Sequence, residues 1–182
     1  MVSFRVPQTD KEKMTIRDAK ESEYETVGRL MVSVYSAIDG FPDRKEWPAY
    51  YEKLARIGDQ TKNHGTRLLV ALNESDEILG SVLYIEDMST YHSKGPANKE
   101  KDAVGFRLLA VSPKSRGLGV GRKLSEECLS LGRKSGKSQM IIHTTENMPT
   151  AWQLYERMGF KRSEDLDFYQ GEMGIFGFRF KY

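Results

Sequence analysis

Apolar residues in the first half of the chain recur at helical spacing in two segments and cluster into strand-like runs after them. In residues 21–35 the apolar side chains fall three and four positions apart, which predicts an amphipathic helix. Residues 45–57 carry apolar and aromatic side chains at similar spacing and predict a second helix. Two apolar runs, 66–72 and 78–85, flank a short polar turn and predict a β-hairpin. A short strand is expected over residues 15–17.

The second half of the chain alternates strand-like and helix-like segments. Residues 104–111 are apolar on both faces except at Arg107, which predicts a central strand. Residues 89–101 show no periodicity and predict a long loop, a feature that is often functional. The remaining pattern predicts a helix that buries Val120, Leu124, Cys128 and Leu131, a strand over 140–142, a helix over 149–158, and strands that begin near 160 and end with 175–180.

The length and composition of the chain predict one soluble globular domain. It has 182 residues, of which 38% are hydrophobic and 30% are charged. Its 28 basic and 26 acidic residues leave a net charge of +2, which argues against nucleic acid as a partner. We expect residues 1–13 to form a loosely attached arm and residues 14–182 to form the domain.

Cysteine use and the apolar runs predict a cytoplasmic protein without a membrane partner. Cys128 is the single cysteine and lies on the apolar face of a helix, so we expect it in the core, with no disulfide or cysteine-based metal site. The N-terminus lacks the apolar stretch of a signal peptide, and no run is long enough to cross a bilayer. His64 and His92 lie in polar segments without metal-ligand spacing, which predicts surface positions.

A glycine-rich segment, SRGLGVGRK at residues 115–123, follows the predicted central strand and opens the next helix. Glycines let a backbone approach an anion closely, and free N–H groups at a helix start attract one. A P-loop requires G-x-x-x-x-G-K-[ST] and a dinucleotide loop requires G-x-G-x-x-G. Counted from Gly117, both patterns fail because Arg122 stands where their last glycine belongs. A glycine-rich helix entry without a ligand remains the alternative.

Two motifs in this part of the chain resemble those of the GCN5-related N-acetyltransferase (GNAT) superfamily. Arg116-x-x-Gly119-x-Gly121 resembles motif A, and AWQLYERMGF at residues 151–160 resembles motif B, A-x-x-L-Y-E-x-x-G-F. The resemblance extends from Thr15 to the C-terminus. It implies an α/β fold with a mixed, mostly antiparallel sheet of six or seven strands and helices on both faces. It also implies a V-shaped splay between the strands 104–111 and 139–145.

The resemblance implies acetyl-CoA as a co-substrate and no metal. In the superfamily the N–H groups of the motif A loop hold the pyrophosphate, and backbone groups of the central strand bond the pantetheine arm. The family often has asparagine at the position of Met148, and Asn147 stands beside it. Carried over to this chain, the residues expected to bind are Leu109, Ala110, Val111, Arg116, Gly117, Leu118, Gly119, Val120, Gly121, Arg122, Asn147, Ala151 and Tyr155.

The implied reaction is direct attack of a primary amine on the thioester in a ternary complex. Tyr155 matches the family tyrosine near the leaving sulfur, where it stabilises or protonates the departing thiolate; a core aromatic is the alternative. Many relatives carry a glutamate base on the strand before the glycine loop, but Gly105 stands there. Glu86, at the end of the strand 78–85, is the expected substitute, followed by His143. A structural or solvated role is the alternative for both, and water is the alternative base.

The acceptor is left open, and a small molecule is favoured. The alternatives are a protein N-terminus or lysine as acceptor, or a catalytically silent coenzyme A-binding module. The resemblance places acceptor specificity in residues 35–51, 89–101 and 165–175. The first range is rich in aromatic residues that predict either a pocket lining or a helix core: Tyr35, Phe41, Trp47, Tyr50 and Tyr51.

Acidic and apolar residues near these ranges suggest two partners. Carboxylates that would suit an amine acceptor are Asp39, Asp43, Glu46, Glu164, Asp165 and Asp167. The apolar run 174–180 predicts a homodimer surface or, equally, a buried strand.

Overall fold

A computed structural model describes residues 13–91 and 94–182. Nearly all of the predicted arm, and His92, lie outside the described residues. No helix within the described ranges is both long and apolar enough to cross a membrane.

The described strands form one eight-stranded sheet in the order β1-β2-β3-β4-β5-β8-β6, with β7 paired to β8. The β4–β5 pair is parallel and the other pairs are antiparallel. The mixed, mostly antiparallel sheet is therefore confirmed, with two short strands, β6 and β7, bringing the number above the expected six or seven. The strands are β1 (Thr15–Asp18), β2 (Thr66–Leu72), β3 (Ile78–Ile85), β4 (Ala103–Val111), β5 (Gln139–Thr144), β6 (Lys161–Arg162), β7 (Phe168–Gln170) and β8 (Met173–Lys181).

In the part of the chain that the structure describes, four α-helices cover the two faces of the sheet: α1 (Tyr24–Ser36), α2 (Pro48–Ala55), α3 (Val120–Lys134) and α4 (Pro149–Arg157). Apolar side chains of α1 and α2 form a first core on one face, and those of α3 and α4 form a second core on the other. Cys128 lies fully buried in the second core, as predicted. Burial raises the pKa of its thiol.

The first two helices begin later than the sequence pattern indicates. Residues Glu21–Glu23 form a 3₁₀ turn before α1. The carboxylate of Asp43 accepts hydrogen bonds from the backbone N–H groups of Lys45 and Glu46, which form a separate turn. Because a residue that precedes proline is disfavoured in helical conformation, α2 begins only at Pro48.

The described residues of the long loop 89–101 are more ordered than the sequence pattern suggests. Two short 3₁₀ helices lie at its start and within it, Met88–Thr90 and Pro96–Lys99. Its side chains at Tyr91 and Ala97 are buried in the first core. The loop is thus part of the folded body on the α1–α2 side of the sheet.

The predicted splay between the central strands is present. β4 and β5 pair only from Ala103–Gln139 to Gly105–Ile141. The register between β3 and β4 then shifts, and Leu108 takes a left-handed conformation with φ of 55°. This β-bulge turns β4 away from β5 and opens a gap between them.

Strand β8 is internal to the sheet. It pairs with β5 on one side and with β6 and β7 on the other, and Phe178 is fully buried. This placement matches the buried-strand alternative for the run 174–180; the homodimer stays a prediction.

Replacement of Gly105 by alanine tests the packing where the splay begins. A Cβ there would stand 2.7 Å from the Ile141 carbonyl oxygen and 2.7 Å from the Tyr91 ring. We expect Gly105→Ala to lower the free energy of unfolding by about 1–3 kcal/mol, measured by urea denaturation. Gly121→Ala is the matched control, because its Cβ would meet only side chains, at 3.5 to 3.6 Å. Equal stability of both variants would contradict this description of the packing.

Candidate active site

The end of β4 presents backbone groups to the gap. The Ser112 N–H donates to the Leu79 carbonyl on the β3 side at 2.8 Å. Since neighbouring residues of a strand direct their backbone groups to opposite sides, Val111 and Leu109 direct theirs toward the gap, and Ala110 toward β3. The Tyr35 hydroxyl of α1 donates to the Leu109 carbonyl at 3.3 Å. The gap therefore has an edge of β4 that β5 does not pair with.

The glycine loop follows β4 and leads directly into α3. Gly117 and Gly119 both have φ of 79°, a conformation that favours glycine. Apart from the adjoining residues, no described residue has an atom within 4 Å of the place a Cβ would take on either. The first helical hydrogen bond runs from the Lys123 N–H to the Gly119 carbonyl at 3.0 Å. The N–H groups of Val120, Gly121 and Arg122 precede it, and no side chain caps the helix.

Exposed side chains lie around the glycine loop, and the arginines among them are positively charged. Arg116 is exposed, and the exposed Arg122 contacts Glu126 at 2.8 Å on the next turn of α3. Leu118 is 54% exposed and stands at the tip of the loop. Backbone N–H groups, the helix dipole and arginine together make this loop suited to an anion such as a diphosphate.

Helix α4 lies beside the start of α3. A Cβ on Gly121 would lie 3.6 Å from the Leu154 side chain, and Ala151 packs partly buried in the second core. Tyr155 is 5% exposed, and its ring meets Phe106 and Phe160 at centroid distances of 5.7 and 5.8 Å. Burial raises the pKa of Tyr155. The ring of Tyr155 is thus packed in the core, as the core-aromatic alternative predicts. Among the described residues, no group hydrogen-bonds to its hydroxyl.

Glu86 does not lie with these residues. Ile85 pairs with Gly105, near the start of β4, so Glu86 follows at the end of the sheet opposite to the glycine loop. Its exposed side chain lines a separate cavity of about 530 Å³ with His64 and Lys101. Glu86 lines this separate cavity and not the cavity beside the gap, so its role as a substitute for the family glutamate stays a prediction.

His143 borders the gap, but both of its ring nitrogens are engaged. Nε2 lies 3.0 Å from the Leu166 carbonyl oxygen, which only accepts, so Nε2 carries the proton. Nδ1 therefore accepts a hydrogen bond from the Tyr91 hydroxyl at 3.1 Å. Burial, assisted by the charge of Arg107, lowers the pKa of His143 to about 4. Near neutral pH this imidazole is uncharged and has no nitrogen free for a substrate.

An aromatic cavity of about 100 Å³ opens beside the gap. Four of the aromatic residues expected in a pocket line it, and they contact one another edge to face or tilted: Tyr35, Phe41, Trp47 and Tyr50. Tyr51 does not line it, because its hydroxyl donates to the Pro42 carbonyl at 2.9 Å and its ring is buried. The prediction of a pocket lining therefore applies to these four residues, and the prediction of a helix core applies to Tyr51.

The cavity also contains residues that the sequence did not predict as site residues. Arg107 lines it, donates to the Tyr91 carbonyl at 2.6 Å and lies over the Tyr91 ring at 5.2 Å. Arg107 could have been identified from the sequence as a candidate site residue, because it is the charged residue in an otherwise apolar strand. Tyr91 lies in the range 89–101, to which the resemblance assigns acceptor specificity, but nothing in that segment without periodicity distinguished it.

A second cavity, with a volume of about 470 Å³, adjoins the aromatic cavity. The two cavities share Trp47, Gln170 and Met173. Three glutamates also line the second cavity, and we call them the acidic mouth: Glu46, Glu146 and Glu172. Asn147 lies here as well and donates to the Asp39 carbonyl at 3.2 Å, so its side chain is directed to the α1–α2 connection.

Other expected carboxylates serve the fold. Asp43 caps the turn before α2. Asp165 pairs with Arg179 at 2.7 Å, and Asp167 pairs with Arg162 at 2.7 Å. Within residues 13–91 and 94–182, no group of three His, Cys, Asp or Glu side chains is placed to hold a metal ion.

Comparisons with known proteins point to one family. The family model "Acetyltransferase (GNAT) family" matches residues 30–160. A mycothiol acetyltransferase of Geodermatophilus obscurus is 37% identical over 68 residues, which are 37% of this chain and 22% of that protein. An uncharacterized N-acetyltransferase of Schizosaccharomyces pombe is 34% identical over 101 residues, 56% of this chain and 55% of that protein. The chain thus spans between about a fifth and about half of the length of these relatives.

A solved structure shows the same fold. The PaiA N-acetyltransferase of Thermoplasma acidophilum, in complex with coenzyme A, superposes with a TM-score of 0.71 at 16% identity, over 93% of this chain and 99% of that one.

The buried His143 predicts a loss of stability in mild acid. Its lowered pKa means that the folded state binds fewer protons than the unfolded chain, so the stabilisation is complete above about pH 6.5 and is lost as pH falls toward 4. The shift corresponds to about 3 kcal/mol. Urea denaturation between pH 7.5 and 4.5 should show a steeper decline for the native chain than for His143→Gln. Parallel declines would contradict the burial of a neutral imidazole.

Proposed function

Because this chain belongs to the acetyltransferase (GNAT) family, we propose that it transfers the acetyl group of acetyl-CoA to a primary amine by direct attack. The observation that carries the proposal is the gap between β4 and β5, which has the open glycine loop at one end and Tyr155 beside it. The coenzyme A in the structurally similar PaiA enzyme supports the choice of co-substrate.

The residues at the glycine loop fit a diphosphate. Gly117 and Gly119 leave the space above the loop open, and the first N–H groups of α3 would donate to phosphate oxygens. Leu109 and Val111 would bond the pantetheine arm with the backbone groups that face the gap. Arg116 and Arg122 would add charge at the rim. Bound acetyl-CoA supplies the activated acyl group.

Tyr155 would donate a hydrogen bond to the departing thiolate. Its raised pKa keeps the phenol protonated at neutral pH, so its hydroxyl is available as a donor. Full proton transfer from a phenol of ordinary pKa about 10 to a thiolate of about 8.5 would already be uphill by roughly 2 kcal/mol. Burial increases that difference, so stabilisation of the thiolate is favoured over its protonation.

No side chain at the gap is assigned as general base. Gly105 replaces the family glutamate, Glu86 lies at the other end of the sheet, and both nitrogens of His143 are engaged. The amine would therefore lose its proton to water. For an amine of pKa about 10.4 this costs about 4–5 kcal/mol at pH 7. Turnover is then expected to rise with pH toward the pKa of the acceptor.

The acceptor is proposed to be a small amine that carries further positive charge. The aromatic cavity is narrow, and Tyr91 of the loop 89–101 closes part of it, which supports a small molecule. The acidic mouth would attract a second cationic group at the entrance. A protein N-terminus or lysine remains the second candidate, since a basic peptide would meet the same carboxylates.

Tyr155→Phe tests the catalytic proposal. We expect kcat to fall by about 100-fold in a thiol-release assay, because the donor to the thiolate is lost. The free energy of unfolding should change by less than about 0.5 kcal/mol, since no described group bonds to the hydroxyl. Tyr169→Phe, on a side chain that is 72% exposed, is the control and should leave both values unchanged. An active Tyr155→Phe variant would remove the assigned role.

The double variant Glu146→Gln, Glu172→Gln tests the acceptor class. We expect KM for a diamine to rise by about 2- to 10-fold and kcat to stay unchanged, since exposed charges attract without touching the reacting atoms. The effect should shrink in high salt and be absent for a neutral-tailed monoamine. Glu74→Gln, exposed in the β2–β3 turn, is the control. Equal KM for both amines in the double variant and the native chain would refute the cationic acceptor.

A further inference from the structure

Thr144, the last residue of β5, has a buried hydroxyl without a partner. Its side chain is 4% exposed, and its Oγ1 makes no hydrogen bond to any described residue. A buried hydroxyl without a partner is unfavourable, because it has lost its hydrogen bonds to water. Such a group in a folded protein calls for an explanation.

The position of Thr144 places this residue at the edge of the gap. β4 and β5 stop pairing at Ile141, so Thr144 lies beyond the last paired residue, and continuing that register sets it level with the bulge at Leu108. The backbone of Thr144 pairs with Phe176 on the β8 side. Thr144 and Leu108 also line the same cavity. The space across from Thr144 is therefore the space that β4 has left.

The face of β5 on which Thr144 lies is the face of Tyr155. Met140 and Ile142 belong to the second core together with Tyr155, whereas Ile141 belongs to the first. Alternation along a strand continues the second face to Thr144. Thr144 thus lines the acceptor cavity, and its side chain lies on the face of the sheet that carries the proposed thiolate donor.

We propose that the Thr144 hydroxyl is a binding residue that hydrogen-bonds the thioester end of the acetyl-CoA pantetheine arm. This inference rests on the proposed function, since it assigns an additional contact in the same site. The arm would fill the gap next to β4, and its amide and thioester oxygens would be acceptors for the Thr144 O–H on β5. Bound co-substrate would then give the Thr144 hydroxyl the partner that it lacks among the described residues.

The neighbouring threonine provides a matched control. Thr145 is equally buried, at 4% exposed, but its Oγ1 accepts a hydrogen bond from the Asn147 N–H at 3.2 Å. Valine has the shape of threonine without the hydroxyl. Thr145→Val therefore deprives a backbone N–H of its partner, whereas Thr144→Val removes only a group that has none.

The two variants are compared in urea denaturation and in calorimetric titration with acetyl-CoA. We expect Thr144→Val to keep or raise the urea midpoint and to weaken acetyl-CoA binding about fivefold, the effect of one neutral hydrogen bond. Thr145→Val should lower the midpoint. Titration with a diamine, monitored through KM, should show no change in Thr144→Val.

Three results would overturn the inference. One is native acetyl-CoA affinity in Thr144→Val. Another is a fall in its urea midpoint as large as that of Thr145→Val, which would mean that the hydroxyl has a structural partner such as a buried water. The third is a rise in KM for the amine alone, which would assign the hydroxyl to the acceptor. If the native chain binds no acetyl-CoA, the proposed function fails instead, so the two failures are distinguishable.

Discussion

The separation of β4 from β5 after Gly105 is the constraint on which the site depends. A strand edge inside a protein leaves backbone donors and acceptors that need partners. Here Tyr35 reaches from α1 to the Leu109 carbonyl, while β3 continues to hold the other edge of β4. The bulge at Leu108 maintains this geometry, because it turns one strand without breaking its pairing to β3. The gap is thus lined by polar backbone groups of β4, which the sheet itself holds in place.

The helices on the two faces keep the gap open and give its sides different chemistry. On the α1–α2 side, aromatic rings in edge-to-face contact form a wall, and the acidic mouth lies outside it. On the α3–α4 side, the start of α3 supplies N–H groups and a positive dipole, and α4 supplies a neutral buried phenol. An anion is favoured at one end and a cation at the opposite entrance. This polarity matches the two substrates of acetyl transfer to an amine.

The sequence predicted the parts of the fold that depend on local pattern. The hairpin, the apolar face of α3, the glycine loop and α4 each follow from spacing within a few residues, and the structure confirms these elements. Where Glu86 lies relative to the gap could not be predicted in this way, because it depends on how β3 pairs with β4. The hairpin pattern defines only the pairing of β2 with β3.

His143 and Tyr91 show the limit of local pattern. Whether an imidazole is a base depends on which groups occupy its two nitrogens, and these come from Leu166 and from a loop residue distant in sequence. Gly105, at the position where the family resemblance would place a glutamate, lies against this network. The space that a side chain would take there is filled by the Tyr91 ring, whose hydroxyl holds His143 in one tautomer. A neutral, hydrogen-bonded pair beside Arg107 thus occupies this place. Under the proposed function, the amine would reach the thioester already uncharged, and the acidic mouth would act on its other charges before that step.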